Sequence, residues 1–119
     1  VLGNTRVVPL PVRHGKVETI GFLFERDGRK LAAYVPDCKE FSPGALAALE
    51  GTDTLIVDAL RHTPHPTHQS FAEALAVVEA VRPRAAWFTH IADEILHARD
   101  EAALPPAVKI AYDGLKLAW

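Results

Sequence analysis

The chain holds a single cysteine, Cys38, among 119 residues, so no disulfide can form within it. A lone thiol suits a reducing compartment, and a cytoplasmic location is expected. Methionine is absent altogether, and the chain opens Val1-Leu2-Gly3-Asn4, which suggests a fragment, a processed product or a trimmed polypeptide. No apolar run approaches the roughly 18 residues that a membrane span needs, and no segment resembles a signal peptide. Long basic runs are missing too. With 13 Lys and Arg against 15 Asp and Glu, the formal charge is −2. A surface that tracks nucleic-acid phosphates is therefore not indicated, although a local basic pocket stays compatible with this balance. What is present is ordinary for a globular domain: 49% hydrophobic and 24% charged residues, enough for one modest core.

Local patterns divide the chain into alternating strands and helices. Arg6 to Arg13 is β-rich but carries Pro9 and Pro11, which suits an edge or bulged strand. Thr19 to Glu25 and Lys30 to Val35 flank Asp27-Gly28, a strong hairpin signal. Ser42-Pro43 opens a short helix to Leu49, with serine as cap and proline at the first helical position. Thr54 to Ala59 and Ala85 to Thr89 are nearly all apolar, as strands covered on both faces are. Between them, Gln69 to Val81 has helical apolar spacing (Phe71, Ala74, Leu75, Val78, Val81) and stops at Pro83. Ala92 to Ala103 reads as a polar-faced helix. The tail, Val108 to Tyr112 and Leu115 to Trp119 around Asp113-Gly114, reads as a closing hairpin. Phe22, Phe24, Trp87 and Phe88 are expected in the core.

Strand direction decides where the polar residues gather. The first and third strands are separated by one antiparallel return and so run the same way, with His14 and Asp37 at their finishing ends. The strands from Thr54 and from Ala85 are each reached through a helix. If those crossovers join parallel neighbours in one sheet, these strands share that direction. Their ends carry the loop with His62, His65 and His68, and then His90. Four strand ends rich in His and Asp would line one edge, where ligands of helix-flanked sheets bind. Imidazole and carboxylate suit zinc, manganese or iron at a hydrolytic site. No single spacing is diagnostic: His-x-x-His-x-x-His is not a standard zinc signature, and separate structural polar residues at strand ends would give the same pattern. Asp58 lies in an apolar strand and needs a partner if buried, such as a metal-bound imidazole N–H. His62 and His65 read as solvated loop residues, His97 as a surface helix residue, and Cys38 as a small buried thiol.

The ordered segments "PLPVRHG", "GFLFERDGRKLAAYVPDC", "TLIVDALRHTPHPTHQSFAEAL", "AAWFTHI" and "AYDGLKLAW" resemble the second half of metallo-β-lactamase-fold phosphodiesterases. The nearest subgroup is similar to the phosphoribosyl 1,2-cyclic phosphate phosphodiesterase of the carbon–phosphorus lyase pathway. The resemblance covers essentially all of the chain. It implies an α/β fold: residues 1–119 as the C-terminal αβ half of an αββα domain, a mixed sheet flanked by helices. It also implies two divalent ions, Zn²⁺ or Mn²⁺, in the complete enzyme. His14, Asp37 and His90 match metal ligands, Asp37 being the carboxylate that bridges the pair. His68 matches a histidine that faces the substrate phosphate without binding metal. Asp58 and Asp113 fall in matching segments, with supporting or pocket roles. The family's His-x-His-x-Asp-His motif, which supplies most ligands, lies on an upstream half that these residues do not include.

The expected function is a metal-dependent phosphodiesterase acting on a small cyclic or nucleotide-like phosphate diester, inactive as this half alone. An RNA-processing phosphodiesterase of the same fold is the alternative, which the near-neutral charge disfavours. A non-catalytic half-domain that pairs with another chain is the third reading. One apolar sheet face is expected to lie bare, so a homodimer or pairing with the missing N-terminal half should follow.

Overall fold

The computed structural model describes all residues, Val1 to Trp119. The strands are β1 (Arg6–His14), β2 (Val17–Arg26), β3 (Arg29–Val35), β4 (Thr54–Asp58), β5 (Ala85–Thr89) and β6 (Val108–Ile110). They form one six-stranded sheet in chain order. The first three are antiparallel neighbours, whereas β3, β4, β5 and β6 are successively parallel. Asp27 and Gly28 both take positive φ, 52° and 75°, as a two-residue hairpin turn matched to strand twist requires.

Each parallel step is made by a helix: α1 (Pro43–Leu49), α2 (Phe71–Val81) and α3 (His97–Ala102). The strand order never reverses, so crossovers of one hand put all three helices on the same face. Ser42 Oγ caps α1 by accepting from Ala45 N. Ser70 and Glu73 form a reciprocal capping box at the start of α2. Such a cap is worth about 1 kcal/mol. Under the helices, Leu23, Ala33, Leu55, Ala86 and Val108 are paired in register across five strands, and all are buried with Leu49, Phe71, Val81 and Phe88.

The opposite face carries another row in register: Pro9, Phe22, Tyr34, Ile56, Trp87 and Lys109. Here Phe22 is 40% and Tyr34 43% exposed, so of the four aromatics expected in the core only Phe88 is fully buried. The apolar face expected to lie bare is exposed at Phe22 and Tyr34 but half-buried at Ile56 and Trp87. On the outer edge, the backbone groups of Pro9, Pro11 and Arg13 point away from β2, because Arg13 N and O bond residues 39 and 40 on that side and pairing alternates. Proline at 9 and 11 thus removes two outward donors, as an edge strand requires.

Two expectations are corrected. The tail is not a hairpin: β6 pairs in parallel with β5, and no strand follows it. Residues 111–119 instead pass along the open face, Tyr112 near Trp87, until the Trp119 indole donates to Thr54 Oγ1 at 3.0 Å and Arg26 donates to the Trp119 carbonyl. The polar-faced helix is also shorter than Ala92 to Ala103. Ala92 N is taken by Leu60 O and the chain turns, packing Ile91 and Ile95 on the core before α3 begins.

Candidate metal centre

Because β1, β3, β4 and β5 run the same way within one sheet, His14, Asp37, Asp58 and His90 reach one end of it. Strand direction predicts this of His14, Asp37 and His90 on condition that the four strands share a sheet. The loop after β4 adds His68. The turn after His14 presses on this loop: at Gly15, φ is +64° and an added Cβ would meet Thr67 Cγ2 at 2.9 Å. Only glycine permits that approach, and it sets His14 beside His68. Their Nε2 atoms are 3.4 Å apart. His90 takes φ +62°, uncommon outside glycine, as β5 ends, and its ring stacks on His68 with centroids 4.4 Å apart.

Asp58 organises the centre from below. Its side chain is fully buried, and Oδ2 accepts from Cys38 N at 3.0 Å and from His68 Nδ1 at 2.7 Å. An oxygen that accepts twice carries no proton, so the proton on Nδ1 belongs to His68 and Nε2 is left with its lone pair toward the open centre. Burial pushes the Asp58 carboxyl above its usual range, while the bonds from His68 and Cys38 and the charges of His68 and His90 pull it back. Cys38 is fully buried, its thiol raised by burial and then by Asp58 and Asp37.

Asp37 Oδ1 stands 2.9 Å from His14 Nε2 and 3.3 Å from His68 Nδ1, yet neither is aligned to donate, and this buried oxygen has no hydrogen-bond donor. Asp58 Oδ1 is likewise buried without one. Ligand atoms of His14, Asp37 and His68 lie within 4.8 Å of one another, as do those of Asp58, His68 and His90. Electron-pair donors that converge on one another, with orphaned carboxylate oxygens among them, are what a divalent cation satisfies. His68 therefore belongs to both donor groups, although the resemblance gave it a role toward substrate. His14, Asp37 and His90 could hold cations, with Asp58 fixing His68 between them. Asp113 lies in an exposed turn after β6, outside both groups.

One further pair has no signature in the local sequence. His62 Nε2 meets Asp100 Oδ1 at 2.9 Å, tying the histidine loop to α3. Asp100 is 6% exposed and also accepts from Leu96 N and Arg99. The Arg99 guanidinium, then His62, hold its carboxyl well below the usual 3.8. A lowered folded value means that its stabilisation is complete above about pH 4 and lost as pH falls below that. Asp100→Asn should therefore melt lower than wild type at pH 7, with the gap closing as the pH is taken below 3.8. A gap that stays constant down the acid series would show that the charge contributes nothing. His97 is half-exposed and pairs with Glu101 on the same helix.

With this geometry established, comparison with known proteins gives the family. Residues 1–91 match the model of the beta-lactamase superfamily domain. The chain belongs to that superfamily. A diphosphatase from the PhnP family superposes over 100% of the chain with TM-score 0.92 and 34% identity. Human tRNase Z, short form, matches over 95% with TM-score 0.73 and 19% identity. Zn²⁺-bound PqqB from Methylobacterium extorquens matches over 99% with TM-score 0.73 and 20% identity. The last two likenesses show the fold alone. No curated protein matches. The chain spans 45%, 41% and 48% of these three, so it corresponds to rather less than half of such a beta-lactamase superfamily protein. No helix is long and apolar enough to cross a membrane.

Proposed function

We propose that the protein, with its fold complete, is a metal-dependent phosphodiesterase acting on a small cyclic or nucleotide-like phosphate diester. One observation carries the reading: an imidazole, His68, held by a buried carboxylate and presented beside the converging donors of His14, Asp37 and His90. Two divalent ions, Zn²⁺ or Mn²⁺, would be held by His14, Asp37 and His90 together with ligands from the other half. When bound they supply charge to phosphoryl oxygens and a nucleophile from water near neutral pH. His68, positioned by Asp58, faces the substrate phosphate; once Nε2 takes up a second proton, the imidazolium hydrogen-bonds a phosphoryl oxygen or passes that proton to the departing oxygen. Asp58 keeps the imidazole in one orientation and stabilises it when it is charged. A reducing, cytoplasmic setting suits the free thiol of Cys38.

A diphosphate substrate is the specific second reading, favoured by the 34% identity to a diphosphatase. RNA processing has less support, since the likeness to tRNase Z is one of fold and the net charge is −2. The face bearing Phe22, Tyr34 and Trp87 packs in this proposal against the remaining half of the fold, because the matched proteins are about twice as long. A homodimer through that face, or a non-catalytic half-domain, is the competing outcome.

The test is to express the complete polypeptide, load it with Mn²⁺ or Zn²⁺, and assay bis(p-nitrophenyl) phosphate, a ribose cyclic phosphate, a nucleoside diphosphate and a precursor tRNA. Turnover of the diesters that chelator removes and metal restores is expected. Metal-loaded protein that cleaves none of them would overturn the proposal.

A further inference from the structure

The loop from Arg61 to His68 is more tightly built than a solvated connection. Its ends are paired, with Leu60 N bonding Gln69 O and Phe71 N bonding Arg61 O. Inside it, the Arg61 guanidinium donates to the carbonyls of Thr63 and Pro64. His65 sits between Pro64 and Pro66, whose rings fix φ on either side of it. Its side chain is fixed as well. Nδ1 accepts from Thr67 N at 3.2 Å and lies 3.3 Å from Thr67 Oγ1.

That bond sets the tautomer. A ring nitrogen that accepts a backbone N–H has no proton, so the neutral ring carries its proton on Nε2. Nε2 donates to no atom of the chain. The His65 ring stands 5.0 Å from that of His68, centroid to centroid, yet His65 belongs to neither group of converging ligand atoms. A pre-organised donor beside a cation site but outside its ligand set is suited to an anionic oxygen rather than to the cation. The surrounding charge favours the same partner. Arg61 contacts only carbonyls and has no carboxylate partner, whereas Lys39 is paired with Glu73. Partial desolvation, then the charges of Arg61, His68 and Lys39, hold the His65 imidazole below its usual value, in keeping with the neutral ring.

We infer that His65 is a second substrate-binding histidine, donating its Nε2–H to a non-bridging phosphoryl oxygen of the substrate while His68 serves the reacting side. The inference rests on the phosphoryl reading above and assigns His65 to recognition of the phosphate. Thr67 is its positioning partner through the backbone N–H, and the flanking prolines limit the entropy lost when the anion binds.

Two near-isosteric substitutions separate this role from loop bracing. His65→Asn keeps an acceptor near Nδ1 for Thr67 N but lacks the distal donor. His65→Gln places an N–H near the Nε2 position and forfeits the local acceptor. The complete metal-loaded protein and both variants are titrated with inorganic phosphate, followed by ³¹P NMR and calorimetry, with metal content measured alongside. Phosphate affinity is expected to fall about tenfold or more in His65→Asn, the usual loss for a hydrogen bond to a charged group, and to be largely restored in His65→Gln at unchanged metal content. Wild-type affinity in His65→Asn, the reverse order of the two variants, or no phosphate binding by the wild type would each overturn the inference. Diester turnover by the wild type is recorded on the same samples. Its absence would defeat the phosphodiesterase reading, while the phosphate titrations still judge His65.

Discussion

Replacing Asp37 by alanine is expected to lower divalent-metal affinity by at least two orders of magnitude and to abolish diester turnover by the complete protein. The side chain is half-exposed overall, but Oδ1 is buried between His14 and His68 with no donor aligned on it. In such a position a carboxylate costs desolvation that no hydrogen bond repays, and only a cation offsets it. Even residues that merely orient ligands change affinity by about 10–100-fold, so loss of a direct ligand should exceed that range. Because the cost is removed with the carboxylate, the metal-free variant should melt no lower than wild type. Inductively coupled plasma analysis after dialysis, with calorimetric titration of Zn²⁺, reads the first effect and a thermal scan the second. Asp37→Ala protein that retains its metal would mean that the orphaned oxygen serves something else.

Asp58→Asn should act differently, lowering kcat by about 10²–10⁴-fold at nearly unchanged metal content, as loss of a group that holds a catalytic imidazole does. The amide oxygen can still accept from Cys38 N, so the loop stays in place, but the negative charge that holds and stabilises the His68 imidazole is gone. Stability follows from the direction of the carboxyl's shift. A folded value raised by burial means that the ionised form is penalised in the fold, a penalty present once the pH exceeds that value. At pH 7 the metal-free Asn variant escapes that penalty but buries an unpartnered amide N–H in place of the orphaned Oδ1, so its stability should lie within about 1–3 kcal/mol of wild type. Asp58→Ala, by contrast, strands two buried donors and should lose about 1–3 kcal/mol for each. A kcat unchanged in Asp58→Asn would remove His68 orientation from the mechanism.

Much of this layout was legible in the sequence, and the reason is directional. Once a strand, a tight turn and a return are recognised around Asp27-Gly28, and helices are recognised before β4 and β5, the ends of β1, β3, β4 and β5 coincide provided that all four strands join one sheet, as they do. On that condition His14, Asp37, His90 and the loop bearing His68 are placed together before any distance is known. Asp58 signalled itself as an acid inside an apolar strand. What the sequence could not show depends on side chains meeting across the fold. The Asp58–His68 and His62–Asp100 pairs join residues 10 and 38 positions apart, and no local pattern encodes either.

The tail departs from the expected hairpin for a physical reason. Asp113-Gly114 is a good turn, and Leu115, Leu117 and Trp119 alternate as a strand would. In the structure that alternation serves partial burial of Leu115 and Leu117, while β6 already has β5 as its partner. The same two-residue period satisfies either arrangement, so only the sheet order decides. His65 reads as a solvated loop residue because it lies between prolines in a polar stretch. Its fixed tautomer depends on a backbone N–H two residues ahead, which composition does not reveal.

Zinc-edge anomalous diffraction from crystals of the complete, Zn²⁺-loaded protein addresses the metal centre most directly. Two peaks are expected at this end of the sheet, one within about 2.0–2.2 Å of both His14 Nε2 and an Asp37 oxygen and the other at that distance from His90. Peaks elsewhere on the molecule, or none beside these three residues, would contradict the assignment.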